Sequence, residues 1–336
     1  MKAARIHAWG EPPRIDELPE PAPLPGRSLV RMAATSVSHL DRSIAAGGFL
    51  RHPPLPYVPG VEAAGTIVQS ERFAVGARVW LRGAGLGTSE DGTWRETISA
   101  TDESIGLLPE AIAMPLGAAF FSPCTAAWVA LFDVGALQPG ERVLISGASG
   151  AVGSIAVQLA GAAGVEVAVA EDSPAAVDLL IDCVGGPGLA ALIARVAPGG
   201  RAVLVGYTAG QRVELDLAEL MQRDVRLLPL NMLRRAAKAR AAVPEILARL
   251  ADGRLRLALR PFALTQAAEA MDWIAQRGHR GRAVLTTADQ STRNTSAAPV
   301  SPAAQPVKTP TPPPSRRKAS TSSTMPRNPV GPCGWP

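Results

Sequence analysis

The stretch whose residue types and spacing can do chemistry is Gly147-Ala148-Ser149-Gly150-Ala151-Val152-Gly153. Small residues in this rhythm let a pyrophosphate reach the backbone. Gly150 permits the approach, Gly153 lets a following helix lie close to the strand before it, and the helix N-terminus offers free N–H groups to the anion. Its contacts would be Ser149, Gly150, Ala151 and Val152. The first glycine of the G-x-G-x-x-G fingerprint is replaced by Ala148, and a turn of this kind also caps ordinary helices, so flanking structure must decide. Glu171 follows about 18 residues after Gly153. A carboxylate there bonds the ribose hydroxyls of NAD and repels the 2′-phosphate of NADP; otherwise it is a solvated turn residue.

The turn needs a strand on each side and a helix after it. Arg142 to Ser146 is a short apolar, β-branched run, a buried strand. Val152, Ile155, Ala156, Leu159, Ala160 and Ala163 recur at helical steps, Gly164 ends that helix, and Val165 to Ala170 is a second strand. Together they make a βαβ unit. Asp178 to Val184, Gly199 to Gly206 and Val225 to Leu230 supply further strands, and Arg234 to Leu250 a helix. Thr265 is expected to cap a helix running to about Gln276, and Gly278 to Leu285 holds a closing strand.

Between the second strand and Asp178 only seven residues, Glu171 to Val177, are available. Seven extended residues reach about 23 to 25 Å, enough for one taut return along a strand but too short for the usual helix. The expectation is an extended link and a parallel sheet lacking its third strand.

Before Ala111 the chain shows no helical periodicity. Ala3 to Ala8, Ser28 to Ala34, Gly65 to Gln69 and Arg78 to Leu81 read as strands, and Asp91-Gly92 as a hairpin-like turn. Residues 111 to 132 are an apolar helical passage toward the glycine turn.

The 336 residues suggest about two domains. Of 34 basic and 29 acidic residues, six basic and one acidic fall after residue 288, so the body is neutral and nucleic acid is not expected as a partner. Cys124, Cys183 and Cys333 are too few for a disulfide framework, and Cys124 reads as a packed small residue. No apolar run suits a signal peptide or a membrane span, so no membrane partner and a cytoplasmic location are expected. Residues 289 to 336 are rich in Pro, Ser, Thr and Ala, a disordered basic tail in composition.

Four motifs, in order, resemble the medium-chain dehydrogenase/reductase superfamily: Val37-Ser38-His39-Leu40-Asp41, Pro56-Tyr57-Val58-Pro59-Gly60-Val61-Glu62-Ala63-Ala64-Gly65, Pro123-Cys124-Thr125-Ala126-Ala127-Trp128, and the glycine turn. Asp182-Cys183-Val184-Gly185-Gly186 matches that family's D-x-V-G-G. The match runs from Met1 to about Thr287 and is most similar to the zinc-free quinone oxidoreductase branch. The resemblance implies an α/β chain with an N-terminal GroES-like β domain (1–118) carrying substrate, and a Rossmann doubly wound parallel sheet (119–258), here shortened. A return segment (259–288) and the tail (289–336) complete it.

The resemblance further implies cofactor contacts at Thr125, Val184, Gly206, Tyr207 and Arg282, an acceptor near Ser38, and a role for His39 on the cofactor phosphates or as proton donor. Zinc-holding relatives carry cysteine where Ser38 stands, histidine where Val61 stands and a third ligand where Phe121 stands, so no metal is expected. Asparagine, tyrosine and arginine, frequent in the branch, are replaced by Ser38, Ser43 and Ala45, which thins the polar lining. The reaction implied is hydride transfer from NADPH or NADH to a quinone or conjugated enone. The branch mostly uses NADPH, whereas Glu171 favours NADH. Alternatives are an enoyl-thioester reductase, whose frequent tyrosine appears here as Phe49, or a nucleotide-binding protein with little catalysis. Relatives pair the strand at Val225 to Leu230 between subunits, which implies a homodimer.

Overall fold

The computed structural model describes residues 1–48, 53–169, 176–276 and 278–287. The expectations for Glu171, Phe49, the link after the second strand and the tail therefore lie outside the described residues. Two sheets dominate. The first has seven strands: β3 (Arg27–Val37), β4 (Glu62–Gln69), β5 (Arg78–Arg82), β6 (Thr97–Thr101), β7 (Ile105–Leu107), β13 (Leu259–Ala263) and β14 (Arg282–Thr286). A hairpin of β1 (Lys2–Arg5) and β2 (Arg14–Glu17) accompanies it. β14 pairs antiparallel with β3, Ala283 opposite Val37, so the end of the described chain completes a sheet begun near its start.

The second sheet is parallel throughout, in the order β12-β11-β10-β8-β9. Its strands are β8 (Arg142–Ile145), β9 (Glu166–Val169), β10 (Val177–Asp182), β11 (Val196–Leu204) and β12 (Arg226–Pro229). The central strands are near-continuous apolar runs because helices cover both faces. On one face α4 (Ala151–Ala162) packs with α3 (Phe121–Trp128) and α7 (Ala236–Ala251) around Val143, Ile145, Leu179 and Ile181. On the other, α5 (Leu189–Ile193) and α6 (Leu217–Gln222) cover Leu144, Leu180 and Ala202. This is a doubly wound order without its third strand: among the described residues nothing pairs with the outer edge of β9.

Several sequence readings need correction. A helix does precede Ala111: α1 (His39–Ala45) starts at Ser38 through a reciprocal capping box with Asp41. The signal was Ser38-x-x-Asp41, a cap pattern too short to carry periodicity. β3 runs three residues past Ala34, and β1 stops at Arg5 rather than Ala8. The passage over 111 to 132 is broken into α2 (Met114–Gly117), α3 and a π-helical turn at Val129–Val134. Thr265 is not a cap. It lies inside a 3₁₀ turn, Leu264–Gln266, where the Gln266 side chain accepts the Ala263 N–H at 2.9 Å before α8 (Ala267–Ala275) begins. Nor is Asp91-Gly92 a hairpin: Asp91 Oδ1 accepts the Val58 N–H at 2.8 Å, and a Cβ on Gly92 would lie 2.2 Å from Gly60 O. The loop thus clamps the segment leading into Glu62. Among the described residues no helix is long and apolar enough to cross a membrane.

Candidate active site

At the end of β8 the Ser146 hydroxyl donates to Asp182 Oδ1 at 2.5 Å and accepts the Cys183 N–H at 2.9 Å. Gly147 turns the chain at φ +63°, where a side chain is strained and a Cβ would meet Val184 Cγ2 at 2.8 Å. Gly150 is the extended N-cap of α4, and Ser154 N–H to Gly150 O (2.9 Å) opens the helical ladder. The N–H groups of Ala151, Val152 and Gly153 precede that ladder and point out of the helix end. A Cβ on Gly153 would fall 2.1 Å from Gly147 O, so only glycine lets the helix lie this close to the strand. On Gly150 it would fall 3.3 Å from the same oxygen, a much milder constraint.

A groove of about 580 Å³ opens beside this turn, lined by Ala148, Ser149, Ser154, Arg256, Arg280 and Gly281 among others. Gly150 and Gly281 form a β-bridge, which ties the approach to β14 to the helix start. The Arg256 backbone is held to α4 in both directions by the Gln158 side chain. Arg256 and Arg280 were missed in the sequence; Arg280 sits in the run Gly278-His279-Arg280-Gly281-Arg282, which drew attention only to Arg282.

The flank of the turn is set by Asp182, 1 % exposed. Besides Ser146 it accepts the Gly185 N–H at 2.8 Å. The Val184 carbonyl accepts the Ala209 N–H at 2.9 Å, and a Cβ on Gly206 would lie 2.3 Å from Cys183 O. Val184, Gly206 and the exposed Tyr207 therefore gather at the C-terminal ends of the parallel strands, with Val184 against Gly147 at the start of the glycine turn. Ser146 and Asp182 do the gathering, and only the D-x-V-G-G match hinted at the second of them.

A second polar corner belongs to α1. Asp41 Oδ2 accepts both the Ser38 N–H (2.8 Å) and the Ser38 O–H (2.5 Å). Asp41 is 1 % exposed, and burial pushes its pKa up to about 6. His39 is exposed as a residue and its ring lies 5.8 Å from that of His279. Partial burial of the imidazole, with the charges of His279, Arg42 and Arg282, lowers its pKa to about 4, which makes it neutral at pH 7.

Thr125 and Arg282 sit differently from the rest of the set. Thr125 is fully buried and its hydroxyl donates to Phe121 O at 2.6 Å within α3. Arg282 is 6 % exposed; its Nη2 donates to Ser36 Oγ at 2.9 Å and to Glu62 Oε2. Glu62, 1 % exposed, also accepts the Ser122 N–H at 2.6 Å on Oε1. A zinc ion does not fit this corner. Val61 and Phe121 offer no donor atom, the Ser38 hydroxyl is held by Asp41, and both Glu62 oxygens are bonded. Among the described residues no three His, Cys, Asp or Glu side chains converge on a metal position. Cys124 is fully buried and burial raises its pKa, so it is packing material rather than a nucleophile.

Comparison with known proteins agrees with this architecture. Residues 24–115 match the model of the alcohol dehydrogenase GroES-like domain, and residues 161–285 that of the zinc-binding dehydrogenases. The human synaptic vesicle membrane protein VAT-1 homolog is 38 % identical over 142 residues, 41 % of this chain and 35 % of that protein. Human quinone oxidoreductase is 33 % identical over 172 residues, 50 % of this chain and 51 % of that protein. The chain thus spans about half the length, or less, of these curated relatives. The quinone oxidoreductase from Thermus thermophilus, solved alone and with NADPH, superposes with a TM-score of 0.69 at 25 % identity, covering 85 % of this chain and all of that one. With two family models in order, the glycine turn between two parallel strands and a sheet closed by β14, the chain belongs to the medium-chain dehydrogenase/reductase superfamily and is quinone oxidoreductase-like.

Proposed function

We propose that this chain is a zinc-independent reductase that takes hydride from NADPH or NADH and delivers it to a quinone or conjugated enone. The observation that carries the reading is a glycine-built helix start bridged at Gly281 to the strand that carries Arg282, whose corner around Glu62 offers no metal site. A reduced nicotinamide, when bound, supplies the hydride. The free N–H groups of Ala151 and Val152 after Gly150 receive the diphosphate, and Arg256 and Arg280 offset its charge. Val184, Gly206 and Tyr207 flank the cofactor, held in place by Asp182. Ser38 and His39 stand on the acceptor side, His39 as a neutral donor. Thr125 and Arg282 act from behind, Thr125 within α3 and Arg282 by neutralising Glu62. Conjugated acceptors delocalise the incoming negative charge, so a hydrogen-bond donor suffices where simple ketones need a Lewis acid.

The branch and the NADPH complex of the Thermus relative support NADPH; Glu171 supports NADH. We assign the domains at 1–118, 119–258 and 259–288, a homodimer through the open edge of β12, and a cytoplasmic location. A non-catalytic nucleotide-binding reading draws on one observation: the Ser38 and Thr125 hydroxyls are both bonded inside the protein. Steady-state oxidation of each reduced coenzyme against quinones, enones and an enoyl thioester, with zinc measured in the same sample, tests the proposal. Turnover without stoichiometric zinc is expected. Tight coenzyme binding without turnover would favour the non-catalytic reading, and no binding would reject both.

A further inference from the structure

Asp41 has more to it than helix capping requires. A cap needs one oxygen, and Oδ2 supplies it to both Ser38 donors. The carboxyl is nonetheless buried, and Oδ1 has no hydrogen-bond partner. Burying an ionised carboxylate with one oxygen unpaired is costly, whereas an exposed aspartate caps a helix without that cost. Arg282 on β14 attracts its charge, Glu62 on β4 repels it, and the Tyr57 hydroxyl, also buried and unpartnered, lies within its field. Around them α1 sets Ile44 and Ala45 into an apolar cluster with Ile6, Tyr57 and Val61. Burial outweighs the Ser38 hydrogen bonds and Arg282 and brings the titration to about pH 6, so both protonation states are populated near neutrality. Among the described residues Ser38, only half-buried, is the one hydroxyl bonded to this carboxyl.

We infer that Asp41 is the proton reservoir of the reduction and that Ser38 relays its proton to the acceptor oxygen; this rests on the reductase reading above. When Asp41 is protonated, its O–H donates to Ser38 Oγ and frees the Ser38 hydroxyl to face the acceptor. Hydride adds to the acceptor carbon and the displaced π pair moves onto the acceptor oxygen. That oxygen forms a bond to the Ser38 proton, Ser38 Oγ takes the Asp41 proton, and Asp41 is left as a carboxylate. One hydride from the reduced coenzyme and one proton are consumed. The carboxylate then accepts the Ser38 O–H and N–H, the arrangement seen here, until water reprotonates it through Ser38 after product release.

The test combines a direct titration with kinetics. In protein labelled with carboxyl-¹³C aspartate, one resonance should titrate near pH 6, vanish in Asp41→Asn and move in Ser38→Ala. With a small quinone, wild-type kcat should fall as pH rises through that point. Asp41→Asn keeps the size and an acceptor for the cap, and should lower kcat about a hundredfold with KM unchanged and the pH dependence gone. Ser38→Thr should keep the pH limb that Ser38→Ala loses, and this pair carries the test if Asp41→Asn does not fold. An Asp41 resonance titrating as an ordinary aspartate, or a wild-type pH profile in Asp41→Asn, would overturn the relay alone. Absence of turnover in the wild type would overturn the relay together with the reductase reading.

Discussion

The turn at Gly147–Gly153 and the corner at Ser38–Asp41 both open a helix, but they are made of different material. The turn is backbone: what matters is where side chains are absent, so that α4 lies against β8 and its N–H groups stand free. The corner is side chain: Ser38, Asp41, Glu62 and Arg282 carry opposing charges and hydroxyls brought from α1, β4 and β14. A backbone site tolerates change in what surrounds it but not in its own glycines. A side-chain site can lack metal ligands and still keep its charges, because Glu62 and Arg282 pair with each other.

The largest effect should come from breaking the corner. Arg282→Met leaves Glu62 buried beside Ser122 and Arg82 without its closest counter-charge, and should cost about 3–5 kcal/mol of stability by denaturant unfolding. Unchanged stability with weakened coenzyme binding would show that Arg282 serves the ligand rather than the corner.

Next is the pH dependence of the same region. The folded pKa of Asp41 is raised from an ordinary 3.8 to about 6. The native state therefore holds a proton that the unfolded chain has lost between those values, and stability from this group falls as pH rises through that window. The expected loss is on the order of 2–3 kcal/mol between pH 4 and 7. Asp41→Asn should flatten that slope in melts across the range, and an unchanged slope would assign it to other groups.

The turn should give way by less. Gly153→Ala places a methyl against Gly147 O and should cost about 1–3 kcal/mol through local displacement. It should also weaken coenzyme binding by more than the global stability loss explains, as read by fluorescence titration. The smallest effect is expected from Ser146→Ala, which leaves Asp182 with its backbone donors and should cost about 1 kcal/mol.

The contrast also governs what could be read beforehand. The parallel sheet and the helix after the glycine turn were legible, because apolar runs, a 3.6-residue rhythm and glycine spacing are local. So was the absence of ligand types at Ser38, Val61 and Phe121. The corner's geometry was not. Glu62 and Arg282 meet across a separation that no pattern encodes, and the sequence suggested Arg282 for the ligand when its Nη2 turns inward. α1 escaped because a single capping box is weaker than periodicity. Arg256 and Arg280 escaped because an arginine in a loop looks the same whether it lines a groove or water.

Synthesis order adds one consequence to the pairing of β14 with β3. Glu62 and Arg282 are 220 residues apart, and a ribosome adds about 5–20 residues per second. The acid therefore waits on the order of 10–40 seconds for its closer partner to emerge, and until then the first lobe has only Arg82, 3.6 Å away, to offset a charge in its interior. Nascent chains halted before residue 282 should stay protease-sensitive in that lobe, however complete the rest of its strands.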